Sequence, residues 1–284
     1  MSAVVATSSR PVGATRPRSR PRQSIFRHHV TRAVICIVVF LVLWEIGSRL
    51  NAPWVGEVPA PTLVAEAWLP LLQDQGYWYS WYQSSRRVLS GFLAAMLIGI
   101  PFGLAMATSR VFNDITFPVF EILRPIPPLA WVPAAIIFWP TQELSIGFVI
   151  FLGAIFTIML NVIGGARSID LRFFQAARSM GSSNWDIFRR IILPGVLPSI
   201  VVGCEVGIGI TWNVVVAAEM ISGGGGAIQS SAGGGLGFFI WNSYIGFSYP
   251  LIVVGMISIG IAGYISSAII RKLGLMATPW LRTR

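Results

Sequence analysis

The amino-acid sequence predicts an all-α integral membrane protein with six transmembrane helices, and three observations carry that prediction. The chain is 54% hydrophobic and 11% charged over 284 residues, with a mean hydropathy of +0.70, too apolar and too poor in charge for a water-soluble domain of that length. Several segments approach the roughly 20 apolar residues that carry a helix across a hydrocarbon core about 30 Å thick. The basic residues also divide unevenly: 18 of the 21 fall on one side of a six-span arrangement, and only Arg49, Arg86 and Arg87 on the other. That bias places both termini and the 167–194 connection in the cytoplasm.

Residues 1–32 hold seven arginines and no acidic residue, the composition of a disordered basic cytoplasmic arm. Such a tail beside a first span reports topology and anionic lipid rather than nucleic acid. The membrane domain is expected over residues 33–272 and a cytoplasmic tail over 273–284. The first span, about Ala33 to Leu50, is long for a signal peptide and lacks a small-residue cleavage pattern, so it stays uncleaved. Residues 51–85 mix prolines with the aromatics Tyr77, Trp78, Tyr79, Trp81 and Tyr82, which suit the outer headgroup layer. The second span, about Val88 to Thr108, carries Gly91, Gly99 and Gly103, which permit close helix contact in lipid. Arg86 and Arg87 precede it on the outer side, where they either snorkel or attract an anion.

The third span, about Ile115 to Trp139, is interrupted by Pro125, Pro127, Pro128 and Pro133. A helix broken so often is tolerated where it lines a watery or protein-packed cavity, so Pro127 is a candidate wall of a translocation path. Glu121 and Arg124, three residues apart, are expected to pair across one turn. The fourth span runs from about Leu144 to Gly165. The fifth, about Val196 to Ile221, contains Glu205, Trp212, Asn213 and Glu219; polar groups there face protein rather than lipid, as packing residues, gate supports or ligand contacts. Residues 223–237 hold eight glycines, which suit either a flexible outer loop or a nest of amides for an anion. The last span runs from about Tyr249 to Ile270.

Between spans four and five, residues 170–194 carry four arginines and two aspartates. Asp170 is a candidate N-cap for a short helix ending near Gly181. Ser183 with Asp186 fits a capping box for a second, which Pro194 is expected to close. Two amphipathic helices in this position suit a groove on a partner or the headgroup surface, and physics alone leaves both open.

The chain has no G-x-x-x-x-G-K-[ST] phosphate loop, and its only lysine is Lys272, so any ATP hydrolysis belongs to another polypeptide. Its two histidines lie in the basic arm and Cys36 and Cys204 lie in apolar segments. Neither a catalytic constellation nor a disulfide or metal site is supported.

The pattern Gln175, Ala176, Ala177, Gly181, Ile191, Leu193 and Pro194 resembles the EAA loop of bacterial ABC-importer permeases, with Gln175 where that family usually has glutamate. The Pro59-x-Pro61 pair, the run Ser85 to Phe92, Leu123 to Pro127 and Ala217 to Met220 resemble the nitrate, sulfonate, taurine and bicarbonate branch. The resemblance implies a type I ABC importer permease fold in the bacterial inner membrane and no enzymatic activity of this chain. It implies that the seven EAA-loop residues contact an ATPase. It further implies a second permease copy or a paralogue, two ABC ATPase subunits carrying Mg-ATP, and an extracytoplasmic substrate-binding protein. The expected substrate is a small anion such as nitrate, bicarbonate or a taurine-like sulfonate. A neutral pyrimidine or vitamin-like solute, and an ATP-independent secondary transporter, are the alternatives.

Overall fold

A computed structural model describes residues 23–50, 58–223 and 234–279. The chain divides into two units, residues 1–57 and 58–284. The first contains helix α1, Gln23–Arg49, apolar around its circumference from Val34 to Trp44. It starts ten residues before the expected Ala33, so the described end of the basic arm, residues 23–32, is helical. Residues 1–22 lie outside the described residues.

The second unit is built of helices joined by short turns, with no strand among its described residues. Helix α2, Pro61–Leu71, opens on a proline whose fixed φ suits a first helical turn. Helix α3, Gln75–Thr108, is capped by the Asp74 carboxylate, which accepts from the Gly76 and Tyr77 amides at 3.1 Å each. The aromatic cluster expected to precede span two therefore forms the first turns of that span. Tyr77 turns inward, its hydroxyl 2.7 Å from Ser258 Oγ.

Helix α4, Arg110–Leu123, is capped by Ser109. The prolines then break the chain into a single 3-10 turn, Pro128–Trp131, and helix α5, Val132–Phe138, at 88° to α4. The interruption expected of span three is thus a right-angle bend. Its backbone is satisfied locally: Arg124 and Ile126 amides bond to Phe120 and Leu123 carbonyls, and Ser145 Oγ donates to the Ala135 carbonyl at 3.0 Å.

Helix α6, Gln142–Arg167, is the central element and packs along both α3 and helix α9, Leu193–Gly223. Val88, Phe92 and Ala95 of α3, Ile150, Ala154, Ile158 and Val162 of α6, and Val196, Ile208 and Val215 of α9 form the buried seam. Close approach requires Gly91 and Gly203: a Cβ there would stand 2.7 Å from Ile150 and Asn161 side-chain carbons respectively. Between α6 and α9 come helix α7, Leu171–Ser179, and helix α8, Asn184–Ile187.

Pro194 does not close this element. After α8 a single π turn, Phe188–Ile192, leads straight into α9, with the Leu193 amide bonded to the Phe188 carbonyl. The wider turn takes the proline ring without the usual clash, and a proline in a first turn has no helical N–H to lose.

Helix α10, Leu236–Ile245, which the sequence reading had not separated from its glycine-rich approach, and helix α11, Tyr249–Ala277, complete the unit. The last helix runs to Ala277, into the expected 273–284 tail. Among the described residues, five helices suit a membrane crossing by length and composition, and six if α4 and α5 count as one broken span. α3 and α11 run from one end of the bundle to the other, and α7 and α8 lie at the end where α6 finishes and α9 starts. This is the loop end, and the opposite one the far end.

The turn from α10 to α11 is closed by a Schellman pair, Ser248 N–H to Ser243 O and Phe247 N–H to Tyr244 O, at 2.9 and 3.1 Å. Phe247 takes the left-handed position with φ +54 and is 78% exposed. That conformation costs an L-residue about 1–2 kcal/mol, and the exposed ring offsets little of it by burial. Phe247→Gly is therefore expected to raise the thermal midpoint of the detergent-purified chain, by less than about 1 kcal/mol after glycine's entropic cost. A lowered midpoint would show that the ring is held by contacts that this turn does not explain.

Candidate functional site

Two clusters of polar side chains stand out, one at each end. At the far end Arg87, 2% exposed, lies between two carboxylates. Its Nη1 donates to Glu219 at 2.9 Å and to the Gly234 carbonyl at 3.3 Å. Its Nε and Nη2 both donate to Glu143, the Nε contacts at 3.1 and 3.2 Å. Arg86 adds a bond to Glu143 at 3.0 Å from the exposed side. Glu143 lies in the first turn of α6, where the helix dipole favours a carboxylate.

Glu219, in the last turns of α9, is 2% exposed and has no unmet oxygen. Ser84 Oγ donates to it at 2.8 and 2.9 Å, and the Gly237 amide at 2.9 Å. Ser84 Oγ in turn accepts from the Leu236 amide at 2.8 Å. Glu219 and Ser84 therefore seat the amino terminus of α10, satisfying amides that a helix start leaves free. Only glycine fits this seat. A Cβ at Gly235 would stand 2.4 Å from the Glu219 carboxylate, and one at Gly237 2.4 Å from the Val216 carbonyl. The cluster binds α3, α6, α9 and α10 to one another.

These contacts correct the expectation for Arg86 and Arg87. Arg87 neither snorkels nor stands open to an anion, because Glu143 and Glu219 enclose it, while Arg86, about half exposed, is paired to Glu143 alone. The nearby residues 224–233 lie outside the described residues, and with them most of the expected glycine nest.

At the loop end α7 starts on Asp170, whose carboxylate accepts from the Arg172 amide at 2.9 Å. It ends in a Schellman turn, Ser182 N–H to Ala177 O and Gly181 N–H to Arg178 O, both 3.0 Å, with Gly181 at φ +77. Glycine takes that conformation without a Cβ clash. Ser183 caps α8 by accepting from the Asp186 amide at 3.1 Å, while its hydroxyl donates to the Asp186 carboxylate at 2.6 Å. Gln175, Ala176 and Gly181 are exposed, Ala177 is buried against the bundle, and Ile191 lies in the π turn. Leu193 and Pro194 begin α9.

The remaining candidate path residues do not converge within one chain. Glu121 and Arg124 are both exposed and form no ion pair with each other, although Arg124 continues the last helical turn of α4. Pro127 is exposed at the break. Trp212 is buried, its indole N–H 3.2 Å from Ser266 Oγ of α11, while Asn213 beside it is exposed. Glu205 pairs with Arg271 of α11 at 3.0 Å. Among the described residues no group of three or more His, Cys, Asp or Glu side chains converges to hold a metal ion.

Sequence reasoning missed Ser84, Glu143 and the Gly237 amide. The available signal was the pair Arg86 and Arg87 itself: arginines against the charge bias at a span end require carboxylate partners, and Glu143 opens a neighbouring span.

Residues 99–282 match the family model described as the binding-protein-dependent transport system inner membrane component. The nitrate import permease of Synechocystis is 34% identical over 280 residues, covering 93% of this chain and 96% of the relative. The taurine transport system permease of Escherichia coli K12 is 30% identical, covering 88% and 90%. The bicarbonate transport system permease of Synechococcus elongatus is 32% identical, covering 80% and 82%. Among solved structures, the inward-facing MetNI methionine ABC transporter aligns with a TM-score of 0.59 at 17% identity, covering 71% of this chain and 98% of that one. A bacterial ABC transporter for the import of alginate aligns at 0.57 and 13%, covering 90% and 98%. At those identities the likeness is one of fold.

Removing Arg87 leaves the buried Glu219 carboxylate without a cation, a loss of about 3–5 kcal/mol for a broken buried pair, while Glu143 keeps Arg86. Arg87→Ala and Gly237→Ala are each expected to lower the folded yield and thermal midpoint sharply, the second by steric contact with the Val216 carbonyl. Arg86→Ala, at the exposed rim, is expected to shift the midpoint by less than a third as much. Fluorescence-detected gel filtration of the three variants across temperature distinguishes them, and equal midpoints for Arg86→Ala and Arg87→Ala would refute this ordering.

Proposed function

This chain is a binding-protein-dependent transport system inner membrane component, and from that membership we propose that it is the translocation subunit of an ATP-driven importer for a small oxyanion or sulfonate. The observation that carries the proposal is the loop-end geometry: a capped helix, a left-handed Gly181 turn and a second capped helix, continuous with a span. A rigid knob of this shape suits a groove on a separate ATPase, in a chain whose sequence carries no phosphate loop of its own. The relatives transport nitrate, taurine and bicarbonate by name, and those solutes share a small, planar or tetrahedral anionic group.

The assembly is two permeases, two ATPase subunits holding Mg-ATP and an extracytoplasmic binding protein. Both termini and the loop end face the cytoplasm, in keeping with the arginine distribution, and the far end faces the binding protein. Gln175 in place of a glutamate keeps hydrogen-bonding shape and loses charge, so seating on the ATPase rests on shape, on exposed Leu171, Phe173 and Met180, and on arginines. Motion of α7 and α8 passes directly into α9, which opens the path first to one side and then to the other.

Gly181→Asp tests the reading. Any side chain at φ +77 is strained, and the new carboxylate stands on the docking surface. With ATPase subunits and binding protein co-reconstituted, substrate-stimulated ATP hydrolysis is expected to fall at least tenfold, the equivalent of ~1.4 kcal/mol of coupling, while the variant inserts and folds. Normal stimulation would remove the loop from the coupling role, and uptake without ATP hydrolysis would replace the importer by a secondary transporter.

A further inference from the structure

A cavity of about 580 Å³ lies beneath the α7–α8 turn, between it and the loop-end termini of α3 and α6. Its polar wall is Arg178, Asn184 and Thr108, with Trp185 at the rim, and its apolar wall includes Phe174 and Phe188. None of these polar side chains is spent on the others. Arg178 has no ion pair or side-chain hydrogen bond among the described residues, nor has the Asn184 amide. Both carboxylates of the α7–α8 loop are engaged: Asp170 caps α7, and Asp186 takes the Ser183 hydroxyl and lies 3.7 Å from Arg190.

The cavity lies at a defined depth. Thr108 is 21 residues along α3 from Arg87, and Ala166, which also lines it, 23 residues along α6 from Glu143. At 1.5 Å per residue these are about 31 and 35 Å, one hydrocarbon thickness from the far-end ion pairs. The cavity therefore stands at headgroup level on the loop-end leaflet, where Trp185, 67% exposed, is at home.

We propose that this cavity binds the phosphate headgroup of an anionic phospholipid, with Arg178 and Asn184 on the phosphodiester and the first acyl carbons against Phe174 and Phe188. A free phosphate satisfies the cation but leaves the aromatic wall uncovered. A zwitterionic lipid carries its own ammonium to Arg178, which repels it. The lipid bridges the α7–α8 turn to the ends of α3 and α6, and so props the knob that the proposed function places on the ATPase. The binding claim itself does not depend on that function.

The test is native mass spectrometry of the full chain, purified in mild detergent and given equal concentrations of dioleoylphosphatidylglycerol or dioleoylphosphatidylcholine. Retention of the glycerol lipid is expected to exceed that of the choline lipid roughly fivefold, the scale of one arginine at a membrane surface. Arg178→Gln should abolish the preference, Arg178→Lys should keep most of it, and Arg172→Gln, on the same helix outside the cavity, should leave it intact. An undiminished preference in Arg178→Gln overturns the proposal, as does an equal loss in Arg172→Gln, which reduces the effect to general surface charge. Displacement of the lipid by millimolar inorganic phosphate assigns the cavity to a free anion instead. Elution of each variant at the wild-type gel-filtration volume separates loss of binding from loss of fold, and Asn184→Ala, expected to weaken retention partially, serves if Arg178→Gln does not fold.

Discussion

The structure depends on keeping charge and open backbone away from hydrocarbon, and Arg87 is where that constraint is met most completely. An unpaired arginine facing hydrocarbon costs up to about 2.5–3.5 kcal/mol at a helix centre on the insertion scale, and less toward a span end. Here the guanidinium spans Glu143 of α6 and Glu219 of α9, and Glu219 spends its remaining capacity on Ser84 and the start of α10. Once those carboxylates are placed, the far ends of four helices are placed with them. The arrangement also explains the chain's passage back into the bundle at Gly234 and Gly235. Non-helical backbone at membrane depth needs protein partners, and Arg87 supplies one by donating to the Gly234 carbonyl.

The proline break is the second expression of the same constraint. Four of the third span's five prolines, Pro125, Pro127, Pro128 and Pro133, lie at the break, where they remove amides and the chain turns through 88°. What remains is closed by short turns and by the Ser145 hydroxyl of α6. The break exposes Glu121, Arg124 and Pro127 rather than pairing the first two. Charges left open on a span surface point to protein or water beyond this single chain, in line with the paired permeases of the proposed function.

Much of the fold was legible because its signals are local. Asp170, Gly181 and Ser183 act within four residues of themselves, so the helix, turn and helix follow directly from residue type. Span positions follow from hydropathy in the same way. What was not legible depends on distance in sequence: Ser84 and Glu143 matter because of Glu219, which lies 135 residues from Ser84. A one-dimensional pattern shows that Arg87 needs a partner and does not say which of eleven acids supplies it. Pro194 misled for a related reason. Its usual effect is to end a helix, and the π turn that spares it here is set by five residues of backbone register with little mark in side-chain pattern.

The two ends are joined by α9. From Leu193, next to the π turn, to Glu219 is 26 residues, about 39 Å of unbroken helix. It packs for much of that length against α6, which itself ends in Glu143 at one end and leads into α7 at the other. A displacement at the loop end cannot be absorbed along two close-packed helices whose glycines leave no slack at Gly203. The π turn is the one place near the loop end where helical register is loosened, and there a rotation of α7 and α8 can be taken up or passed on. On the proposed function, the stiffness of α9 delivers the motion and the Arg87 cluster determines what moves with it. Because that cluster holds α3, α6, α9 and α10 through six or more bonds at once, the far end responds as a block. The element of the path that the cluster does not hold is the broken α4–α5 span, and on the proposed function that is where the path has room to change.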